Sequence, residues 1–141
     1  MSALTVIETF ERLYGVPVNI DMDAQFTALA RGVISRDILV NERFCALAPG
    51  EQMAVLLHEF GHHANWHKLI RWISLPLFWT KWAERMWQRH ELEADWFAVA
   101  EGFGPQLATY LSRYRSRPDI DERIRNIREL LAGGIHVAQA A

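Results

Sequence analysis

His58-Glu59-Phe60-Gly61-His62 lies inside an apolar run, Met53 to Ala64, that reads as one helix. At about 100° per residue, His62 falls about 40° from His58 and Glu59 about 100° from it. Met53, Leu57, Phe60 and Ala64 gather across the helix from the histidines. The helix thus carries a core face and, opposite it, a face on which two imidazoles can reach one metal ion. Glu59 stands beside them, where a general base for a metal-activated water is needed. Any fold for this chain must bury one side of the helix and leave the other open to a cleft.

A catalytic zinc takes three protein ligands and leaves one position open. The third ligand must come from elsewhere, and Glu91-Leu92-Glu93-Ala94-Asp95 supplies the candidates. Glu91 and Asp95 are four apart and share a helix face, whereas Glu93 points away. Glu91 is therefore expected as ligand. Asp95 is expected behind the metal, accepting the free ring N–H of a ligand histidine. His63 and His67 lie off the metal face and are not assigned, and neither is His90. Gly61, between the two histidines, would let another element come close.

The rest of the chain bounds what surrounds this site. At 141 residues and 50% hydrophobic, it suits one domain with a real core, with 135–141 as a loose tail. A formal charge of -2 argues against nucleic-acid binding. The lone Cys45 excludes an intrachain disulfide and a cysteine zinc cluster, and suits a reducing compartment. The N-terminus lacks a secretory pattern, and no apolar window is long enough to span a bilayer. A soluble, cytoplasmic protein is expected.

Helical spacing predicts a helix over Leu4 to Tyr14, stopped by Gly15. Alternation predicts a strand over Val16 to Asp21, a short strand at Phe26 to Leu29, and the strongest strand at Ile38 to Asn41. Gly32 and Ser35 to Asp37 read as turns. Pro49 opens the His58 helix, which is expected to reach about Trp66. A second helical region covers Lys68 to Arg89, broken near Pro76, and a third runs from Gln88 or His90 to Ala100. Pro105 to Arg115 and Asp121 to Leu131 complete the set. The class is α+β: mostly helical, with a small N-terminal sheet beside the His58 helix. Trp66, Trp72, Trp79, Trp82 and Trp87 crowd the segment 66–87, which is a candidate core stripe or a peripheral membrane or partner contact.

His58-Glu59-x-x-His62 followed by Glu91-x-x-x-Asp95 resembles the M48 peptidases, the gluzincin group of HtpX, Ste24 and Oma1. Ile38 to Asn41, Pro49 to Glu59 and Pro118 to Ile124 are similar to further elements of that family. The resemblance implies a compact zincin-like domain and a zinc metalloendopeptidase. In that reading Zn2+ sits on His58, His62 and Glu91, Glu59 is the base, and a protein or peptide substrate lies along an exposed edge strand near Ile38 to Glu42. Arg117 stands where the family has a histidine, and is a candidate oxyanion donor. The element Glu91 to Ala98 is also similar to the ImmA/IrrE-like peptidases, which cleave repressors. A zinc-stabilised binding module without turnover, and a hydrolase of non-protein amides, are the other classes open at this stage.

Overall fold

A computed structural model describes residues 2–31, 36–65 and 81–133. The architecture is α+β, mostly helical with one three-stranded sheet. Helix α1 covers Ala3–Tyr14, followed by strands β1 (Val18–Ile20), β2 (Ala28–Arg31) and β3 (Asp37–Val40). A single turn, α2 (Glu42–Cys45), leads into α3 (Pro49–Ala64). Helices α4 (Lys81–Ala100), α5 (Gly104–Leu111) and α6 (Ile120–Ala132) follow, with a 3-10 turn at Ser112–Tyr114.

Local chemistry sets these boundaries. Ser2 caps α1, its Oγ accepting from the Thr5 N–H. Gly15 ends α1 at φ 67, a left-handed conformation that glycine adopts freely, and its N–H returns to the Glu11 carbonyl at 2.8 Å. Asn41 was expected inside the strand, but its side chain accepts from the Phe44 N–H and starts α2. Pro49 sits in the first turn of α3, where the missing N–H is harmless. Glu51 reaches back to the Ala48 N–H and also accepts from Arg113 at 2.6 Å.

The strand order is β1-β3-β2, with β1 parallel and β2 antiparallel to β3. Strand β3 is therefore central and buried along its length, which corrects the expectation of an exposed edge at Ile38 to Glu42. The edge facing the His58 helix belongs to β2. Ile38 and Val40 join Phe10, Phe44, Leu56 and Leu57 in the core.

Helix α3 is more enclosed than a two-faced wheel implies. It packs on α1, α4, α5, β2 and β3, and from Glu51 to His63 only Met53, Glu59 and Phe60 escape full burial. Ala64, expected on the core face, is exposed. His63, off the metal face as expected, is buried with its Nε2 3.2 Å from the Asp37 carbonyl. The closest approach is to α4, across Gly61. A methyl group at Gly61 would meet the Ala94 Cα at 2.8 Å and the Ala94 oxygen at 3.1 Å. That absence of a side chain draws the Glu91 stretch onto the histidines.

Helix α4 runs unbroken from Lys81 to Ala100, so the break expected near Gln88 is absent. Trp66, His67, Trp72, Pro76, Trp79, the turn residues Gly32 and Ser35, and the tail 135–141 lie outside the described residues. Among the described residues, no helix is long and apolar enough to cross a membrane. Trp82, from the Trp-rich stretch, is exposed.

Candidate metal centre

His58 and His62 stand one turn apart on α3, and Glu91 faces them from α4. The Nε2 atoms of the two rings are 3.2 Å apart. Glu91 Oε2 lies 3.4 Å from His58 Nε2, and Oε1 lies 3.4 Å from His62 Nε2. Ligands held at about 2.0–2.1 Å in tetrahedral geometry are about 3.3 Å from one another, a spacing close to the gap between the rings and to the gap from each ring to one of the two Glu91 oxygens. The group His58, His62 and Glu91 could hold a metal ion. Glu93 instead takes the Arg89 Nε at 2.8 Å on the outer face of α4.

The polar layer behind these residues is dense. Asp95 is wholly buried, and its Oδ1 lies 2.8 Å from His58 Nδ1. A carboxylate there favours the proton on Nδ1 and leaves the Nε2 lone pair toward the metal position. Arg123, from α6, donates from Nε and Nη2 to the two oxygens of Asp95, each at 2.7 Å. Its Nη1 is 3.1 Å from Glu91 Oε2. One guanidinium thus fixes Glu91 and Asp95 together, gripping Asp95 in the bidentate geometry that suits Arg.

Burial alone would lower the His58 pKa, but Asp95 and Glu91 outweigh it and push the ring up to about 9. Burial would raise Glu91, yet His58, His62 and Arg123 hold its carboxyl well below the usual range. Asp95 is likewise held down, against burial, by Arg123 and His58. Glu91, Asp95, Arg123 and the protonated His58 form one charge-balanced cluster, in which a bound cation would replace the proton on His58.

Glu59 emerges beside the ligands on a cleft of about 280 Å³. Its Oε2 accepts from the Ala30 N–H at 2.7 Å, so Glu59 also touches the edge of β2. Arg117 lines the same cleft but is exposed, and its Nη2 donates to Asp119 at 3.1 Å. Tyr110 and Tyr114 form part of the wall, with ring centroids 5.3 Å apart. Burial pushes the Tyr110 hydroxyl up to about 12, so it remains a proton donor at neutral pH.

Arg123 and Tyr110 received no role from sequence alone. Arg123 did carry a signal: it interrupts the buried stripe Ile120, Ile124 and Ile127 of α6. A cation on an apolar stripe needs buried anions, and Glu91 and Asp95 are the pair that meets it. Tyr110 has no comparable signature. Comparison with known proteins finds no relative: no family model matches the chain, nor does any curated protein or solved structure.

Proposed function

We propose that this chain is a zinc-dependent metallopeptidase of the M48-like, zincin type, working in the cytoplasm. The observation that carries the reading is the spacing of His58 Nε2, His62 Nε2 and the Glu91 carboxylate at 3.2 to 3.4 Å, with Glu59 opening onto a cleft next to them. Two imidazoles and one carboxylate suit zinc, and leave a position free for water or substrate. Zinc there would polarise a scissile carbonyl and make a water acidic at neutral pH. Glu59 would accept a proton from an attacking water and deliver it to the leaving amine. Asp95 holds His58 in the required tautomer, and Arg123 holds Asp95 and Glu91.

The substrate would lie along β2 rather than β3. The pairing of Leu29 with Leu39, and of the Thr27 carbonyl with the Asn41 N–H, turns the backbone groups of Ala28 and Ala30 outward. Ala30 already directs its N–H to Glu59. An extended peptide added to this edge would pass Glu59 within reach of its carboxylate. Tyr110 supports the reading as a neutral donor on the cleft wall, a position for which Arg117 is poorly placed by its contact with Asp119.

One contact favours a second reading, a zinc-stabilised binding module. The bond from Ala30 to Glu59 gives that glutamate a structural task without catalysis. Zinc content and hydrolysis of an unfolded protein substrate, measured for wild type and Glu59→Gln, separate the two. The peptidase reading expects zinc retained and hydrolysis lowered at least about 10²-fold in the variant. A zinc-loaded Glu59→Gln protein with undiminished hydrolysis would sink the mechanism. Zinc binding by wild type with no hydrolysis leaves the module.

A further inference from the structure

The chain is acidic overall, yet its cleft is not. Arg43, Arg117 and Arg123 line it, against Glu59 and Glu91, with no lysine or aspartate among the described lining residues. Arg123 is committed to Asp95 and Glu91. The other two are different. Arg43, on α2, makes no hydrogen bond or ion pair among the described residues, although its side chain borders the cleft. Among the described residues the Arg117 side chain, beyond α5, is held by its near neighbour Asp119 alone, and it is 62% exposed. Two arginines, from segments far apart in sequence, thus stand on one cleft with charge to offer.

A cation bound by His58, His62 and Glu91 would raise the positive potential further, since Glu91 alone would supply ligand charge. Low-dielectric walls such as Leu107 and Ile120 focus that potential on whatever enters. The outward backbone edge of β2 fits an extended polypeptide, and the small, partly apolar cleft does not suit a nucleic-acid backbone.

We propose that the cleft selects acidic peptides: Arg43 and Arg117 pair with Asp, Glu or terminal carboxylates flanking the bond that lies at Glu59. This substrate class rests on the peptidase reading, but its binding half stands without turnover. Guanidinium suits the task because it binds carboxylate through two parallel N–H donors and stays charged at all working pH values.

The test uses the full-length, zinc-loaded Glu59→Gln protein and fluorescently labelled peptides identical but for Glu, Gln or Lys at the three positions on each side of the central bond. Anisotropy titrations are expected to rank Glu above Gln above Lys. Arg43→Glu and Arg117→Glu should each weaken the Glu peptide by roughly threefold to tenfold, and the double variant should reverse the ranking. Raising salt should erode the preference, because rim charges are screened over about 8–10 Å. Circular dichroism and zinc content check that both exposed substitutions leave the fold and the metal in place. Equal binding of the three peptides, or a Glu preference untouched by both reversals, would overturn the proposal. So would an oligonucleotide of matched charge binding as tightly as the Glu peptide. Acidic-peptide binding that depends on both arginines, in a protein whose wild type hydrolyses none of these peptides, would retain the selectivity and remove the peptidase.

Discussion

Helix α3 is gripped by two polar clusters. At His58 the chain runs through Asp95 to Arg123 on α6 and on to Glu91. Little more than a turn later, His63 rests on the carbonyl of Asp37, whose carboxylate takes Asn19 at 2.9 Å and the Arg31 Nε at 3.0 Å. Both clusters hold a histidine, a buried aspartate and an arginine. In the first, a carboxylate backs the Nδ1 side of His58, and one possible ligand atom from each of His58, His62 and Glu91 lies within 4.8 Å of the others. In the second, His63 turns its Nε2 onto backbone and the aspartate closes on the sheet end. Residue types do not distinguish a metal site from a clamp; the direction of the remaining lone pairs does.

The largest difference between the clusters should appear on removing the arginine of the first. Arg123 is buried, and Arg123→Met leaves Asp95 and Glu91 buried with a partner lost. Breaking a buried ion pair from one side costs about 3–5 kcal/mol. Urea unfolding of the metal-free protein reads this directly, and zinc affinity is expected to fall roughly 10- to 100-fold alongside it. An Arg123→Met protein as stable as wild type would show that the first cluster is no stronger than a surface pair.

The next effect is the pH dependence of the first cluster. His58 is raised from 6.5 to about 9 in the folded, metal-free protein. A raised pKa gives stability that is fully present below pH 6.5 and is lost as pH rises through 9. At 1.36 kcal/mol per unit this is roughly 3 kcal/mol at most. Glu91 and Asp95 are depressed, so their contribution is present above the ordinary carboxylate range and is lost as pH falls. Metal-free stability should therefore peak between about pH 4.5 and 6.5 and decline toward 9. A metal ion bound at His58, His62 and Glu91 would hold His58 neutral, so the loaded protein should lack the alkaline decline. Chelated protein with equal unfolding midpoints at pH 6 and 9 would contradict the cluster as described.

Much of this was legible in the sequence, for reasons that can be named. His58, Glu59 and His62 are fixed relative to one another by helix geometry, and Glu91 and Asp95 by the same rule on a second helix. The helix boundaries at Gly15 and Pro49 follow from backbone chemistry at single residues. What periodicity could not give was pairing order. Ile38 to Val40 reads as the best strand because it is buried on both faces, and that burial is why it is central and not an edge. The same blindness hid the enclosure of His63, since one helical wheel cannot show that α3 has neighbours on nearly every side. Arg123 was visible as an odd charge on an apolar stripe, but its partners lie 28 and 32 positions away, beyond any local pattern.

Gly61→Ala acts on the spacing between α3 and α4. The new methyl would fall 2.8 Å from the Ala94 Cα, a backbone atom that cannot rotate aside. Overpacking of this kind destabilises by about 1–3 kcal/mol. Because the shift separates His58 and His62 from Glu91, zinc affinity should fall by more than the stability change predicts. Titration with a competing chelator measures it, and unchanged affinity would mean that Gly61 does not set the site's geometry.

The smallest effect belongs to the second cluster. Arg31 is largely exposed, and its removal in Arg31→Ala still leaves Asp37 with Asn19. Exposed pairs contribute little, so the thermal midpoint should move by under about 2 °C, with zinc affinity unaltered. The reason is positional: the Arg31 contact ends at the sheet, while His63 keeps its bond to the Asp37 carbonyl whatever happens to the carboxylate. A loss of zinc affinity in Arg31→Ala would show that the clamp at His63 transmits to His62, and that the two clusters work as one.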